Sequence, residues 1–273
     1  NPFVVGSSPT GATIYVIIFK IMKTISIVII VKNGEELIEK ALLSSTWADE
    51  IIILDSGSTD NTLNIANKYT KNIHTSDKWY GFGKQRQNAQ KLSSSDWIFM
   101  LDADEEISDS LRKSIKEVIM GAPRIYQVNR LSKAFGCEVK HSGWYPDWIN
   151  RLYPNDLTTY NDALVHETLI IPENYKPVKI YGALRHETYK NMKDYYLKMS
   201  MYIDAWSTQN INKKNSGLII GFLRGYWAFF KMYILKLGFL DGSVGLTLAF
   251  LRYETTVMKY FDLKIKKKIK KIT

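Results

Sequence analysis

Residues 97–106 read Trp-Ile-Phe-Met-Leu-Asp-Ala-Asp-Glu-Glu, an apolar run of strand length that ends abruptly in carboxylates. The length and composition of this run predict a buried β-strand. Because side chains alternate between the two faces of a strand, we expect Asp102 and Asp104 to point the same way off its end. Two carboxylates in that position suit Mg²⁺ or Mn²⁺, with a substrate phosphate completing the coordination. The alternative is a solvated turn that caps the next helix, since Ser108 and Asp109 follow.

Two further buried strands are predicted upstream of this one. Residues 25–31 and 50–54 are apolar and rich in β-branched side chains, which is typical of parallel strands buried on both faces. Helical patterns separate the strands, and this alternation predicts an α/β fold with a mostly parallel sheet and helices on both faces. Ligands of such sheets bind at the carboxyl ends of the strands, where Asn33, Asp55 and Asp102 are expected.

The composition indicates a globular protein of a reducing compartment. The chain has 273 residues, of which 45% are hydrophobic, and its single cysteine, Cys137, excludes an internal disulfide framework. The formal net charge is +10, but six lysines lie within residues 264–273. A nucleic-acid-binding protein would spread basic charge over one face, so this cluster favours a tether to an anionic membrane surface and no nucleic-acid partner.

The two ends of the chain are expected to lie outside the main domain. The apolar run near the N-terminus is too short to span a bilayer and lacks the flanks of a signal peptide. We interpret Met22 as the natural start, with a disordered or non-native leader before it. The predicted boundaries are 1–21 for this leader, 22–188 for a catalytic domain, 189–263 for a helical region and 264–273 for a basic tail.

The chain resembles the family 2 glycosyltransferases, which have the GT-A fold, in three motifs. These are Val-Ile-Ile-Val-Lys-Asn-Gly-Glu at 28–35, Leu-Asp-Ser-Gly-Ser-Thr-Asp-Asn-Thr at 54–62 and Leu-Asp-Ala-Asp-Glu at 101–105. Four downstream pieces narrow the resemblance to the bacterial lipopolysaccharide core β-1,4-glucosyltransferases, which add glucose to an inner-core heptose. These pieces lie at 81–89, 143–147, 151–152 and 165–167. The first motif departs from the family at Val31, where threonine is common.

The resemblance implies a UDP-sugar donor, with UDP-glucose as the expected one. In the family, the acidic residue after the second strand pairs with the uracil imide through a charge-assisted hydrogen bond, and Asp55 holds that place here. Asn33 and Glu35 are expected to bind the donor at the end of the first strand, and Lys84 and Arg86 to contact the diphosphate or the uracil. The alternatives are a helix cap for Asp55 and a solvated helix face for the two basic residues.

The resemblance also implies a divalent metal, Mn²⁺ or Mg²⁺, that bridges the two phosphates as a Lewis acid. Asp104 is the predicted direct ligand. Asp102 is expected to contact the ribose, or the metal through water. In relatives a histidine completes the metal shell, and His166 is the predicted equivalent, with His186 as its rival.

An inverting transfer needs a carboxylate that takes the proton of the acceptor hydroxyl. This base must face the acceptor, so we expect it outside the nucleotide-binding half. Asp147 is the predicted base, because its Trp-Tyr-Pro context at 144–146 suits stacking on a sugar. Glu167 is the rival base, although it is equally suited to orienting His166.

The C-terminal third is predicted to be helical. Residues 217–239 are apolar, but Arg224, Lys231 and Lys236 interrupt them, which argues against a membrane span. The segment fits a helix lying in the lipid headgroup region, or else a helix packed on the catalytic domain. Each lysine of the 264–273 tail is expected to add about 1 kcal/mol of attraction to an anionic leaflet.

The resemblance, taken with these patterns, implies an inverting, metal-dependent glycosyltransferase that moves glucose from UDP-glucose to a lipopolysaccharide inner-core heptose. We expect it on the cytoplasmic face of the bacterial inner membrane. The alternatives are transfer to a polyprenyl phosphate or a capsule glycan, a phosphatase of the Asp-x-Asp type, and a non-enzymatic membrane- or nucleic-acid-binding protein. The phosphatase is disfavoured because its nucleophile would follow the first strand, where Lys32 and Asn33 stand.

Overall fold

The computed structural model describes residues 4–7, 13–15, 22–163 and 167–270. Its strands are β1 (Val4–Ser7), β2 (Thr13–Tyr15), β3 (Ile25–Val31), β4 (Glu50–Asp55), β5 (Ile73–Thr75), β6 (Trp97–Asp102), β7 (Glu105–Ile107), β8 (Tyr126–Ala134), β9 (Cys137–Glu138), β10 (Trp148–Pro154) and β11 (Val178–Tyr189). Its α-helices are α1 (Ile38–Leu43), α2 (Thr62–Ala66), α3 (Phe82–Gln90), α4 (Asp109–Val118), α5 (Met192–Asn210), α6 (Leu218–Phe230) and α7 (Gly242–Lys270). A π-helical turn, Lys231–Leu235, and a 3-10 turn, Gly238–Asp241, join α6 to α7.

The N-terminal half of the main sheet is parallel, in the order β5-β4-β3-β6. Every residue of β3 is buried. Ile27 and Ile29 belong to the core on one face of the sheet, whereas Val28 and Ile30 belong to the core on the other. Burial on both faces explains why this strand is apolar throughout instead of alternating. The predicted α/β fold is therefore confirmed.

The sheet continues beyond β6 with mixed strands, in the order β6-β10-β8-β11-β7, and β9 pairs with β8. β10 runs antiparallel to β6 and β8, and β7 runs antiparallel to β11. Only Ala103 and Asp104 separate β6 from β7, so the chain passes at the carboxylates from the parallel half to the far edge of the sheet. This passage brings the carboxylates of 102–105 close to residues from β8, β10 and β11.

The turn after these carboxylates also caps a helix, as the alternative interpretation expected. The hydroxyl of Ser108 accepts a hydrogen bond from the backbone N–H of Leu111 and so caps α4. The cap begins beyond Glu105. The two interpretations of 102–109 therefore apply to different residues.

The C-terminal region is helical, as predicted, but its end differs from the expectation. α7 continues without interruption through residue 263 to Lys270, so 264–270 form the last turns of a long helix. Most of the predicted 1–21 leader lies outside the described residues; within it the structure describes the antiparallel pair β1–β2.

Candidate active site

Asp102 lies at the carboxyl end of β6, where both of its carboxylate oxygens bind arginines. Oδ1 accepts a hydrogen bond from Nη2 of Arg86 at 2.6 Å, and Oδ2 accepts one from Nη2 of Arg151 at 2.5 Å. Arg86 comes from α3 and Arg151 from β10, so the ion pairs join the first half of the sheet to the second. Both guanidinium side chains are almost completely buried.

Glu105, the first residue of β7, shares Arg151 with Asp102. Its side chain is fully buried, and its Oε1 accepts from Nη2 of Arg151 at 2.7 Å. Its other oxygen accepts from the backbone N–H of Asp102 at 3.0 Å. Nη1 of Arg130, on β8, lies 3.8 Å from Oε1. A buried carboxylate is retained because these partners replace its lost hydration.

The shared arginine affects the two carboxylates differently. Burial alone would raise the pKa of Asp102, but Arg151 and Arg86 outweigh it and hold that pKa well below its usual range. At Glu105, burial raises the pKa more than the attraction of Arg151 lowers it. The nearby charge of Asp102 raises it further, so the pKa of Glu105 lies above its ordinary value. Asp102 is thus firmly ionised, whereas the charge of Glu105 depends on Arg151.

Asp147 joins the same network through Arg130. Oδ2 of Asp147 accepts from Nε and Nη2 of Arg130 at 2.9 and 2.8 Å. The backbone is fixed as well, because the N–H of Arg130 donates to the carbonyl of Asp147 and the N–H of Asp147 donates to the side chain of Asn129. The Asp147 side chain is 36% exposed, so it is oriented by the protein and still reached by solvent.

Glu167 lies on the other side of the network, on Arg86. Nε of Arg86 donates to Oε1 of Glu167 at 2.8 Å, and the guanidinium carbon lies 5.3 Å from the centre of the Tyr160 ring. Glu167 and Asp102 are therefore held by the same side chain. His166, the predicted metal ligand, lies outside the described residues.

His186 faces Asp104 across the end of the sheet. β7 pairs with β11, which places Nε2 of His186 3.4 Å from Oδ2 of Asp104. Burial opposes protonation of His186, but its hydrogen bond to Asp104 and the charges of Asp104 and Glu105 raise its pKa. Both residues line a cavity of ≈ 40 Å³ with seven others, namely Leu37, Lys40, Glu105, Glu106, Lys133, Arg185 and Glu187. Within the described ranges, no three histidine, cysteine or carboxylate side chains already form a metal cage.

The loops after β3 and β4 are tied together by predicted donor-binding residues. The amide oxygen of Asn33 accepts from the backbone N–H of Thr59 at 2.8 Å. A carboxylate oxygen of Glu35 accepts from the backbone N–H of Asn61 at 2.8 Å. Asn33 has a φ of 53°, a left-handed conformation that asparagine tolerates better than most residues. These hydrogen bonds hold the loop after β3 and the loop after β4 in a fixed position relative to each other.

Asp55 is buried and organises the second of these loops. Its Oδ2 accepts from the backbone N–H groups of Gly57 and Ser58, both at 2.9 Å, and its Oδ1 accepts from the Ser58 hydroxyl at 2.5 Å. Asp55 therefore holds the turn, and three of the roughly four acceptor positions of a carboxylate are in use.

Lys84 stands apart from the arginine network. Its ammonium donates to Oε1 of Gln87 at 3.0 Å and lies 3.9 Å from Asp162, and the side chain is 42% exposed. The two predicted basic residues of α3 thus have different environments, one buried in ion pairs and the other facing solvent.

Comparison with known proteins identifies the fold that carries this site. The family model described as glycosyl transferase family 2 matches residues 26–204. The chain belongs to this family. The matched region contains the whole arginine–carboxylate network and both tied loops, so the network lies inside the glycosyltransferase domain.

Curated relatives include several bacterial glycosyltransferases. The chain is 37% identical over 98 residues to the glycosyltransferase RT0209 of Rickettsia typhi, which covers 36% of this chain and 33% of that protein. It is 25% identical over 263 residues to RP128 of Rickettsia prowazekii, covering 90% and 89%. It is 28% identical over 199 residues to the lipopolysaccharide core biosynthesis glycosyltransferase LpsC of Rhizobium meliloti, covering 68% and 72%. The chain thus matches about a third of the length of relatives such as RT0209 and nearly all of RP128.

Two solved structures are also similar to the chain. A structure of Staphylococcus aureus TarS, residues 1–349, aligns with a TM-score of 0.44 at 14% identity, covering 86% of this chain and 81% of that one. Glucosyl-3-phosphoglycerate synthase from Mycobacterium tuberculosis, in complex with Mn²⁺ and UDP, aligns with a TM-score of 0.35 at 23% identity, covering 41% and 44%.

The glycosyltransferase domain brings four of the predicted site residues together in one network. Asp102, Asp147, Arg86 and Glu167 lie in one set of ion pairs, and Asp104 lies two positions beyond Asp102. Three members of the network were not predicted: Glu105, Arg130 and Arg151. Two of them stand inside motifs that carried the family resemblance, so their sequence signal existed. Arg130 carries no such signal, because it belongs to a strand without a motif.

Proposed function

We propose that the protein transfers a hexose, glucose by its family resemblance, from a UDP-sugar to an inner-core heptose of lipopolysaccharide, with inversion and with a divalent metal. The observation that carries this proposal is the path Asp102–Arg151–Glu105–Arg130–Asp147. It joins a donor-side carboxylate at the end of β6 to a separate, solvent-reached carboxylate through the buried Arg151 and the half-buried Arg130. An inverting transfer needs that separation of roles.

Asp104 and His186 suit the implied Mn²⁺ or Mg²⁺. A carboxylate oxygen and an imidazole nitrogen face each other at 3.4 Å, and such ions are commonly held by one or two protein ligands together with substrate phosphates. When bound, the metal would supply Lewis acidity to the departing nucleotide. Asp102 is committed to two arginines, so we assign it to positioning and Asp104 and His186 to the metal.

The remaining side chains act on the donor and the acceptor. Asp147 takes the proton of the acceptor hydroxyl, while Arg130 holds its Oδ2 and so directs the carboxylate. Asp55 keeps one acceptor position for the uracil imide, in a loop that Asn33 and Glu35 fix in place. Lys84, the exposed cation of α3, remains available to the diphosphate.

The proposed class of acceptor is supported by one relative of the chain. LpsC is named a lipopolysaccharide core biosynthesis glycosyltransferase, and its similarity covers 68% of this chain. That similarity supports a lipopolysaccharide core acceptor. Such an acceptor is carried by a membrane, so we place the protein as a peripheral enzyme on the cytoplasmic face of the inner membrane.

The function is tested by incubating the purified protein with a panel of nucleotide sugars, with and without Mn²⁺. We expect slow hydrolysis of UDP-glucose that depends on the metal, and transfer when heptose-terminated lipopolysaccharide is added. Absence of hydrolysis and transfer with every UDP-sugar would contradict the proposal.

Asp104→Asn is expected to weaken UDP binding in Mn²⁺ by about 10- to 100-fold, because an amide replaces a charged metal ligand. Isothermal titration of UDP in Mn²⁺ and in EDTA measures the effect. Asp109→Asn is the matched control, since Asp109 is 83% exposed and pairs with Arg112 on the surface. Equal UDP affinity of Asp104→Asn and wild type in Mn²⁺ would remove Asp104 from the metal site.

A further inference from the structure

The outward face of α6 is apolar and largely exposed. The helical stretch Leu218–Leu235 has the length and hydropathy of a membrane span, with a mean hydropathy of 1.3, yet only 17% of it is buried within the described residues. Ile219, Leu223 and Tyr226 are each more than 60% exposed and follow one another at spacings of four and three residues. They therefore form one stripe along the helix.

The opposite face of α6 is occupied by α7, which fixes the direction of the stripe. A Cβ atom at Gly225 would lie 2.7 Å from Cγ2 of Val257, and one at Gly221 would lie 3.1 Å from Cβ of Tyr260. The two glycines allow the helices to approach closely, and larger side chains there would push them apart. The apolar stripe therefore faces away from the helix with which α6 packs.

Basic side chains lie within and directly after this apolar stretch, and the guanidinium of Arg224 lies 5.6 Å from the centre of the Tyr260 ring on α7. Arg224 and Lys231 lie within the apolar stretch and are exposed, and Lys236 follows it. A cation at the centre of a bilayer costs about 2.5–3.5 kcal/mol on insertion scales, which disfavours a span with two of them. An apolar face combined with cations suits a helix that lies in the headgroup region of an anionic bilayer.

Helices α6 and α7 form a helical hairpin. The turn between them is hydrogen-bonded to the loop that leads to Asp147. The carboxylate of Asp241 is buried and accepts hydrogen bonds from the backbone N–H groups of Lys140 and His141 and from the Ser142 hydroxyl. The backbone N–H of Ser142 in turn donates to the carbonyl of Lys236 at 2.8 Å. The helical hairpin and the acceptor side of the site are thus held together.

The basic end of α7 is engaged elsewhere. The ammonium of Lys266 contacts Asp204 at 2.6 Å and Asp262 at 3.1 Å. Lys267 donates to the backbone carbonyl of Lys214, and Lys270 donates to the side chain of Asn212. Three of the six lysines from which a membrane tether was predicted therefore hold α7 against α5 and against the residues that follow α5.

We propose that the α6 stripe of Ile219, Leu223 and Tyr226 is a docking surface for an anionic phospholipid bilayer. The helix lies in the plane of the interface, with the stripe at the boundary between headgroups and acyl chains. Through the Asp241 contacts, docking presents the loop before Asp147 to an acceptor in the same membrane. Only this last step rests on the proposed function.

Vesicle flotation tests the surface. Wild-type protein is mixed with vesicles of phosphatidylglycerol and phosphatidylethanolamine, and Leu223→Gln and Ile219→Gln are compared with Leu43→Gln, whose leucine is 63% exposed on α1. Each α6 variant is expected to partition about tenfold more weakly, since an inserted aliphatic side chain contributes roughly that factor. The Leu43 variant is expected to match wild type. Lys231→Gln is expected to weaken binding about fivefold, an effect lost at high salt.

Three results would overturn the assignment. Wild-type partitioning of Leu223→Gln would remove the stripe from the contact. Retention on vesicles after an alkaline carbonate wash would indicate a spanning helix. Self-association without vesicle binding, lost in Leu223→Gln, would make a second copy the occupant. Hydrolysis and transfer of the UDP-sugars are measured on the same samples: absence of both with every UDP-sugar in wild type would refute the proposed function and leave the vesicle result standing.

Discussion

Asp147→Asn is expected to lower the rate of sugar transfer by about 10² to 10⁴, the contribution of a general base, while UDP-sugar affinity stays near that of the wild type. The amide cannot take the proton of the acceptor hydroxyl, but it fills the same volume directly before β10. Arg130 donates two hydrogen bonds to Oδ2, and an asparagine oxygen can still accept them. The fold and the donor site should therefore be preserved.

We propose Asp147 in preference to Glu167 as the base. Glu167 binds Arg86, the arginine that also binds Asp102, so we assign it to the donor side. In the part of the chain that the structure describes, ion pairs link Asp102 to Asp147 through Arg151, Glu105 and Arg130 in succession.

Single-turnover transfer to heptose-terminated lipopolysaccharide, alongside UDP titration, separates the two roles. Glu167→Gln is the matched carboxamide variant, and we expect it to change donor affinity more than the transfer step. Near wild-type transfer by Asp147→Asn would refute the assignment, and a rate loss confined to Glu167→Gln would move the base to Glu167.

Arg151→Met is expected to destabilise the fold by about 3–5 kcal/mol at neutral pH. Arg151 binds both Asp102 and Glu105, and removing the cation leaves a fully buried glutamate without its closest partner. Arg185→Met is the matched control: Arg185 pairs with Glu106 at 2.9 Å, but both side chains are more than a third exposed. An exposed pair of this kind contributes at most about 1 kcal/mol.

The stability loss of Arg151→Met should depend on pH in a specific direction. In the wild type, the lowered pKa of Asp102 gives a contribution to stability that is present above its unfolded pKa and is lost only as the pH falls towards its folded pKa. Burial already raises the pKa of Glu105 despite the attraction of Arg151. Without Arg151, Glu105 loses its closest cation and favours the neutral, protonated form, whereas Asp102 keeps its ion pair with Arg86. The difference in free energy of unfolding between wild type and variant should therefore shrink from neutral to mildly acidic pH. Urea unfolding at both pH values measures this difference. A difference of the same size at both pH values would show that the loss of charge pairing does not cause it.

The sequence was most informative where local pattern decides structure. Residues 25–31 and 97–102 are strands because a run buried on both faces must be apolar throughout, and both were predicted as such. Asp102 and Asp104 were predicted as site residues because carboxylates directly after such a run are conspicuous. Asn33 and Asp55 were placed correctly at the same edge, since parallel strands bring their carboxyl ends together.

The sequence pattern was less informative about which partners each side chain contacts. Asp102 was expected at the ribose or the metal, yet its oxygens bind arginines that lie 16 and 49 positions away in the chain. His186 meets Asp104 because β7 pairs with β11 across the far edge of the sheet, and no local signal encodes that register. The lysines of 264–273 were interpreted as a basic tail that tethers the chain to a membrane, but three of them contact residues 204, 212 and 214 in the folded chain.

The amino-acid sequence by itself determined the buried parallel strands, the α/β class, the family and the sheet edge at which Asn33, Asp55 and Asp102 lie, because each follows from short-range periodicity and from motifs with a fixed position on a strand. The tertiary structure decided that Asp102 is the carboxylate bound by two arginines, that His186 faces Asp104, and which face of α6 is left uncovered. These depend on contacts between residues far apart in the chain, whose geometry is set only when the whole sheet and the helical hairpin are assembled.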